Sequence, residues 1–263
     1  MMTTDDLLAL HDEQIRGTVT DRMPHSWQAS WDGPALRVTT PAQGMVFARE
    51  LDHLTGAELD ALIARTRDFF SARGDSVEWK TYGHDRADLT DRLALAGFTP
   101  DPRETVVIGP AADLVEAGTA PAGVTISATT DPADLRAIAA MESAVWNQDW
   151  SWLADDLADR LRSTPDDLVI FTAQAGDQVV SAAWLVAMPG TSFGALWGGS
   201  TLAEWRRRGI YRALVARRAR IAVERGIEFL MVDASDDSRP VLERLGLRAV
   251  TTTTPWIWRP PAE

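Results

Sequence analysis

Four arginines lie close together where a strand-like run gives way to a helical pattern. Arg206, Arg207 and Arg208 precede a helix that should begin near Gly209, and Arg212 falls in its first turn. A helix N-terminus already carries about half a positive charge, so each cation there costs on the order of 0.3–1 kcal/mol. Backbone N–H groups beside guanidinium groups make a phosphate site, and a glycine allows close backbone approach. The spacing therefore predicts an anion site, although an arginine-rich solvated surface would have the same composition.

The same segment resembles a family motif. Arg206-Arg207-Arg208-Gly209-Ile210-Tyr211 resembles the Arg/Gln-x-x-Gly-x-Gly/Ala loop of the Gcn5-related N-acetyltransferases (GNAT), and the resemblance extends over the second half of the chain, to the later DDSRPVLERLGL segment. In that family the loop amides hold the coenzyme A pyrophosphate, and the preceding strand pairs with the pantetheine arm. The resemblance implies acetyl-CoA as co-substrate, no metal, and an acyl-CoA N-acyltransferase fold. The residues it assigns to the coenzyme are Gly199, Thr201, Leu202, Arg206, Arg207, Arg208, Gly209, Ile210, Tyr211 and Arg212.

Two residues depart from the family pattern. Tyr211 stands where the family usually has a small residue, and Leu242 stands where many members have a tyrosine that protonates the leaving thiolate. The leading hypothesis is an enzyme that acetylates a primary amine of a small molecule or peptide. The missing tyrosine keeps a second hypothesis open, an acyl-CoA-binding sensor or partner module without turnover.

Acyl transfer to an amine needs a polarised carbonyl and a base. By the resemblance, backbone amides around Ser200 to Leu202 would polarise the carbonyl, a device worth roughly 3–4 kcal/mol elsewhere. Glu142 and Asp233 are the candidate carboxylate bases. Asp233 could instead bond local amides at a strand end, and Glu142 could be a solvated helix residue. No histidine competes in the second half, because the four histidines are His11, His25, His53 and His84.

Tryptophans form a second signal, because eight of the eleven lie in the second half. Trp146, Trp150 and Trp152 cluster where the family's first two helices form the wall of the acceptor site. Aromatic faces there could hold an apolar or cationic substrate. Tryptophan is also a common core residue, and a wall of this kind would equally suit a transferase of longer acyl groups.

The elements that must position these residues follow from periodicity and turn residues. Asp131-Pro132 gives an N-cap and first-turn proline for a helix to about Val145, and Gly176-Asp177 joins two strands. The predicted fold class is α/β with a mixed sheet (α+β), an antiparallel meander leading into a parallel crossover. The predicted strands are Val124–Ala128, Leu168–Ala175, Gln178–Ala187, Phe193–Thr201 and Leu230–Ala234, and the further helices are Asp149–Leu161, Gly209–Arg225 and Arg239–Leu245.

The first half repeats part of this order of elements. Strand, polar loop and helix close on Gly97-Phe98 and again on Gly246-Leu247, 149 positions later. This spacing predicts two tandem GNAT-like lobes, residues 1–115 and 121–263, joined by a small-residue linker at 111–123. The helix expected over Thr55–Arg73 lacks the arginine–glycine pattern, and Asp52 and Glu58 would repel phosphate. We therefore expect a degenerate N-terminal lobe that does not bind coenzyme A.

Bulk composition limits the function classes. The 263 residues carry a net charge of −12, which argues against a general affinity for nucleic acid. There is no cysteine, so disulfides, thiolate metal sites and a cysteine nucleophile are excluded. No apolar run is long enough to span a membrane, and the acidic N-terminus is unlike a signal peptide. We expect a cytoplasmic protein, compatible with a homodimer, with no membrane or nucleic-acid partner.

Overall fold

The computed structural model describes residues 2–16, 18–23, 27–40 and 43–261. The chain forms two compact units. The first consists of Met1–Val107, Asp233–Pro240 and Ala249–Glu263, and the second of Ile108–Val232 and Val241–Arg248. His25 lies outside the described residues. Within the described part of the chain, no helix is long and apolar enough to cross a membrane.

The second unit is built on a five-stranded stretch of sheet. Strands β7 to β10 pair in sequence order and antiparallel, and β11 then pairs parallel to β10. The strands are β7 Thr125–Thr129, β8 Leu168–Ala175, β9 Gln178–Ala187, β10 Phe193–Thr201 and β11 Phe229–Ala234; the helices are α4 Pro132–Trp146, α5 Leu153–Ser163, α6 Ile210–Glu224 and α7 Arg239–Arg244. The predicted meander and parallel crossover are confirmed.

Local sequence explains the ends of these elements. The Asp131 carboxylate accepts from Ala133 N–H at 2.7 Å, and Pro132 opens α4 at a position where a missing N–H has no cost. Asn147 ends the helix with φ +52°. Gly176 turns between β8 and β9 with φ +58°.

Helices cover both faces of this sheet. Ala182 and Trp184 of β9 pack in one cluster with Leu135 and Ile138 of α4. Ala183, which lies between these two residues, packs instead with Leu214 of α6. Because side chains alternate along a strand, α4 and α6 lie on opposite faces, and residues of β10 are sandwiched between them.

An irregularity in β10 opens the sheet beside α6. The register runs Trp197↔Trp184 and Gly198↔Ala183, then skips to Ser200↔Ala182, so Gly199 is the extra residue of a bulge. Gly198 and Gly199 have φ of +66° and +91°, a region that favours glycine. Pairing with β11 covers only 193–195 of β10, so residues 196–201 have no register partner on that side.

The first unit repeats the arrangement. Strands β1 to β3 are an antiparallel meander, and β3 pairs parallel with β4 after the crossover helix α2. The strands are β1 Gln28–Asp32, β2 Ala35–Thr39, β3 Gly44–Ala48, β4 Val77–Tyr82, β5 Thr99–Pro100, β6 Glu104–Pro110 and β12 Arg248–Trp258; the helices are α1 Thr4–His11, α2 Gly56–Ser71 and α3 Leu89–Leu95. The parallel between β3-α2-β4 and β10-α6-β11 confirms the predicted repeat.

The N-terminus of α2 is closed by its own side chains. The Thr55 hydroxyl accepts from Glu58 N–H, and a Glu58 carboxylate oxygen accepts from Thr55 N–H at 2.7 Å. A carboxylate already occupies the place that an anion would take. This capping box distinguishes the start of α2 from that of α6, and the lack of coenzyme A binding by the first lobe stays a prediction.

Two features differ from the sequence expectations. The final strand β12 pairs antiparallel with β4, with Trp256 opposite Trp79, so a segment from the end of the chain completes the first unit. The segment 111–123, expected to be a linker, begins with a 3₁₀ turn whose Leu114 is fully buried. The predicted lobe boundaries, residues 1–115 and 121–263, stay a prediction.

Candidate functional site

The loop between β10 and α6 presents a helix N-terminus without a side-chain cap. A 3₁₀ turn over Ala203–Trp205 leads to Gly209, which precedes α6 with φ +87°. No acidic residue lies in the first turn of α6. Because the first N–H groups of a helix lack intrahelical partners, this end can receive an anion.

Two of the three consecutive arginines hold this loop in shape. Arg206 Nε donates to the Thr201 carbonyl and Arg208 Nη2 to the Glu204 carbonyl, each at 3.0 Å. The Arg208 guanidinium also lies 4.6 Å from the centre of the Trp205 ring. Arg207 is exposed, with φ +62° and no polar partner in the part of the chain that the structure describes. Its charge is therefore available to a ligand.

Arg212 and Ile210 have structural contacts as well. Arg212 Nε donates to the Ala117 carbonyl at 2.9 Å, which ties the first turn of α6 to the segment 111–123. Ile210 is buried in the core with Leu214. The sequence assigned both residues to the coenzyme, and their side chains are engaged within the protein.

Tyr211 packs against the bulge of β10. A Cβ built on Gly199 would lie 2.7 Å from Cε2 of the Tyr211 ring, so only glycine leaves room for this contact. The ring thus takes up space beside the bulge where the family has a small residue. Burial raises the pKa of the Tyr211 hydroxyl, while the nearby Arg218 charge opposes that rise.

Glu142, Trp146 and Ser200 come together on the α4 side of β10. Trp146 Nε1 donates to Glu142 Oε2 at 2.9 Å and lies 3.3 Å from Ser200 Oγ. Glu142 is 2% exposed, and its Oε1 has no hydrogen-bond partner among the described residues. Burial raises the pKa of this carboxyl, against the lowering effect of the hydrogen bonds from Ser200 and Trp146. Glu142 is therefore a buried carboxyl rather than a solvated helix residue.

Hydrogen bonds fix the end of β10 below this group. The Ser181 hydroxyl bonds the Ser200 carbonyl and the Thr201 hydroxyl. Leu202 N–H donates to the Val180 carbonyl at 3.0 Å. The Leu202 amide is thereby occupied, which leaves the backbone at Gly199 and Ser200 as the better candidate for polarising a carbonyl.

The three tryptophans of the predicted acceptor wall have different environments. Trp150 and Trp152 stack with ring centres 5.3 Å apart, and Trp150 packs on the core below α4. Trp146 and Trp152 are about half exposed. Trp197 of β10 is 54% exposed and shares the face of Ser200, because their partners Trp184 and Ala182 share a face. Sequence reasoning missed Trp197, which the alternation of β10 could have indicated.

Asp233 is not among the residues of the second unit. It belongs to the first unit, where its Oδ2 forms an ion pair with Lys80 of β4. The structure thus gives Asp233 a charge partner that the sequence did not reveal, and its carboxylate is engaged within the protein.

One buried charge was not anticipated from the sequence. Arg218 of α6 is 1% exposed and lies under β10, where its Nη1 donates to the Trp197 carbonyl at 3.1 Å. A signal was present, because Arg218 falls at helical spacing between the apolar Leu214 and Ala222.

The comparisons with known proteins agree with this architecture. Residues 126–247 match the model of the acetyltransferase (GNAT) family. Over these residues the chain belongs to the GNAT family. The match covers nearly all of the second unit, from β7 to the end of α7, and includes the loop and helix described above. A search of curated proteins finds no match.

Solved structures extend the GNAT likeness over the whole chain. A GCN5-related N-acetyltransferase from Kribbella flavida superposes with a TM-score of 0.70 at 16% identity, covering 100% of this chain and 97% of its own. A tandem GNAT protein from the clavulanic acid biosynthesis pathway gives 0.65 at 12%, covering 94% and 87%. A GCN5-related N-acetyltransferase from Sphaerobacter thermophilus gives 0.60 at 15%, covering 89% and 84%. At these identities the likeness is one of fold, a GNAT fold with two lobes.

Proposed function

We propose that this protein is an N-acetyltransferase that moves an acetyl group from acetyl-CoA to a primary amine of a small molecule or peptide. The observation that supports this most is the grouping of three features around β10. They are a bulge where the strand leaves β11, an uncapped helix N-terminus after it, and the buried carboxyl of Glu142 beside Ser200.

The residues fit coenzyme A. Arg206, Arg207 and Arg208 surround an N-terminus without acidic residues, which suits a pyrophosphate. A Cβ on Gly209 would meet nothing within 4 Å, so the space beside the cradle is open. Residues 196–201 of β10 have no register partner on the β11 side and can pair with an amide-bearing arm.

Glu142 is the residue we propose as proton acceptor. When bound, acetyl-CoA supplies a thioester carbonyl that an amine can attack. Glu142 Oε2 is held by Trp146, and Oε1 is free of protein partners within the described residues, so Oε1 can take a proton from the amine directly or through water. Its raised pKa brings the carboxyl nearer to neutral pH, where a base is most effective. The backbone at Gly199 and Ser200 is proposed to polarise the carbonyl.

The exposed tryptophans suggest the kind of acceptor. Trp146 and Trp197 lie on the same side of β10 as Ser200 and are each about half exposed. Flat apolar faces beside a buried carboxyl favour an amine joined to an apolar or aromatic body. The same faces would accept a longer acyl group, so acyl chain length has to be measured.

A second candidate function rests on Leu242. This side chain is fully buried in α7, where many family members carry a tyrosine acid. Without that proton donor, the protein could bind acyl-CoA as a sensor or partner module without turnover. Orientation alone can supply much of the acceleration, so the loss of one acid does not decide between the two functions.

Calorimetric titration of acetyl-CoA tests the cradle. We expect micromolar binding to wild type and at least about thirtyfold weaker binding to the double variant Arg208→Glu/Gly209→Asp, which places two negative charges beside the helix N-terminus. Arg217→Glu, on the exposed face of the same helix, is the matched control and should bind as wild type apart from a small charge effect. If wild type binds no acetyl-CoA, the proposed function is wrong.

Turnover then separates the candidates. Release of free thiol from acetyl-CoA is followed with a panel of aliphatic and aromatic primary amines, and with acyl-CoAs of increasing chain length. Amine-dependent thiol release supports the transferase. Tight binding of acetyl-CoA with no product from any amine supports the sensor.

A further inference from the structure

Arg218 is a charged residue in the middle of an apolar interface. It follows Leu214 by one helical turn and precedes Ala222 by another, and all three are buried. Its Nε donates to the Leu214 carbonyl within α6. Among the described residues, no carboxylate lies within ion-pair distance of its guanidinium, so the charge has no counter-ion.

The guanidinium bonds instead to the backbone of the bulged strand. Nη1 donates to the Trp197 carbonyl at 3.1 Å and lies 3.5 Å from the Trp184 carbonyl. These two residues are opposite each other in the β9–β10 register, and Gly198 and Gly199 follow immediately. Arg218 therefore contacts β10 at Trp197, two residues before the bulged Gly199 and beyond the point where β11 stops pairing.

Stability alone does not account for this residue. A buried charge without a counter-ion is expensive, and Nη2 has no partner within the described residues. Burial lowers the pKa of Arg218 to about 10, against a small opposing effect of Tyr211. An apolar side chain of similar length would fill the same interface without that cost.

Tyr211, on the same helix, also contacts this bulge. It lies seven residues before Arg218 on α6, a spacing of two turns, and its ring is against Gly199. One helix thus holds the bulge at two points, by a ring at Gly199 and by a charged donor at Trp197.

We propose that Arg218 is a positioning residue of the acyl-transfer site, whose guanidinium holds the Trp197 carbonyl and thereby orients the Gly199–Ser200 backbone. The proposal rests on the proposed function only for its catalytic consequence. The structural part, that Arg218 restrains residues 196–202, holds for the protein without any ligand.

Hydrogen exchange measured by mass spectrometry tests the structural part. In Arg218→Met we expect peptides covering 196–202 to exchange about tenfold faster, because a hydrogen bond from a charged donor has been removed. Arg218→Lys, which keeps the charge and one donor group, should fall between this variant and wild type. Arg217→Met, the exposed neighbour, should leave exchange unchanged.

Thermal unfolding shows whether the variants fold. We expect Arg218→Met to unfold within a few degrees of wild type or above it, because a buried unpaired charge is lost. If Arg218→Met does not fold, the comparison of Arg218→Lys with Arg217→Met decides the question. Unchanged exchange over 196–202 in a folded Arg218 variant overturns the proposal.

The catalytic consequence is read from ligand protection. Adding acetyl-CoA should slow exchange over 196–202 in wild type and Arg217→Met, and the protection should be lost in Arg218→Met while the Kd for acetyl-CoA changes by less than about threefold. A loss of affinity equal to that of Arg208→Glu/Gly209→Asp would mean that Arg218 serves the cradle, which contradicts positioning. If wild type shows no binding, the proposed function fails, but exchange in the free protein still decides whether Arg218 holds the bulge.

Discussion

Replacing Gly199 by alanine should destabilise the protein through two separate effects, backbone strain at Gly199 and overlap of the new Cβ with the Tyr211 ring. Gly199 has φ +91°, where a residue with a Cβ is strained by about 1–2 kcal/mol. The new Cβ would also lie 2.7 Å from Tyr211 Cε2 and 3.3 Å from Cδ2. Overpacking of this kind typically costs about 1–3 kcal/mol. We therefore expect Gly199→Ala to lower the free energy of unfolding by about 2–5 kcal/mol.

Urea unfolding of a double-mutant cycle separates the two contributions. In a Tyr211→Ala background the overlap is absent, so Gly199→Ala should cost only the backbone strain of about 1–2 kcal/mol. Gly176→Ala is the matched control. It has φ +58° in a hairpin turn of the same unit, and a Cβ there would meet nothing within 4 Å.

Two results would refute this reasoning. One is a cost for Gly199→Ala no larger than that for Gly176→Ala. The other is a cost that stays the same when Tyr211 is removed. Either result would mean that the Tyr211 ring does not lie against Gly199, and the described contact between α6 and the bulge of β10 would be wrong.

Three further predictions concern carboxyl groups and a helix cap. Glu142→Gln should lower kcat by about 10²–10⁴ and remove the acid limb of the pH–rate profile, while urea unfolding shows equal or greater stability because a buried charge is lost; unchanged kcat would remove Glu142 as base. Burial and the neighbouring Asp233 raise the pKa of Glu104 from 4.5 to about 7, because both disfavour its ionised form. The folded state is therefore most stable, with respect to this group, below pH 4.5, and that stability is lost as the pH rises through 7 and the buried carboxyl ionises. Glu104→Gln should therefore be about 1–2 kcal/mol more stable than wild type at pH 8, after allowance for solvent screening, with no gain at pH 4.5; exposed Glu224→Gln, tested by the same urea titrations, should show neither effect. Thr55→Ala removes a hydroxyl of the α2 capping box and should cost about 1 kcal/mol in thermal or urea unfolding, a loss that Thr55→Ser should largely avoid.

Most of the second unit could be predicted from its sequence because each element carries its own end signals. Asp131-Pro132 starts α4, Gly176 turns the hairpin, and Gly226 follows the end of α6. Apolar periodicity identifies the buried strands between them. The repeat was visible for the same reason, since both halves close a short helix on a glycine followed by an apolar residue.

The pairing of β12 could not be predicted in this way. Its apolar run looks like a partner for any buried strand, and nothing local to Trp256 or Ile257 specifies β4 rather than a strand of the second half. Partner choice depends on side chains that are distant in sequence, such as Trp79 opposite Trp256. The Asp233–Lys80 pair escaped prediction for the same reason, because its members are 153 positions apart.

The sequence predicts the anion site but not which of its arginines are free to bind a ligand. A basic loop before a helix indicates an anion site through local chemistry alone, which is why the arginines were found. Whether each arginine is free to bind is a tertiary property. Arg206 and Arg208 bond the loop carbonyls, Arg212 bonds Ala117, and Arg207 alone of the four has no protein partner in the described part of the chain.

Buried charge marks the centre of the candidate site. Of the described Asp, Glu, Lys, Arg and His residues of the second unit, only Glu142 and Arg218 are buried, and they lie on opposite faces of one sheet. Each contacts the same short stretch of β10, Glu142 beside Ser200 through Trp146 and Arg218 at the Trp197 carbonyl. Folding alone would favour apolar residues at both positions, because each has a polar atom without a hydrogen-bond partner among the described residues. Two such costs within four residues of one strand are explained if residues 197–200 must carry out chemistry, with a carboxyl to accept a proton on one face and a restrained backbone on the other.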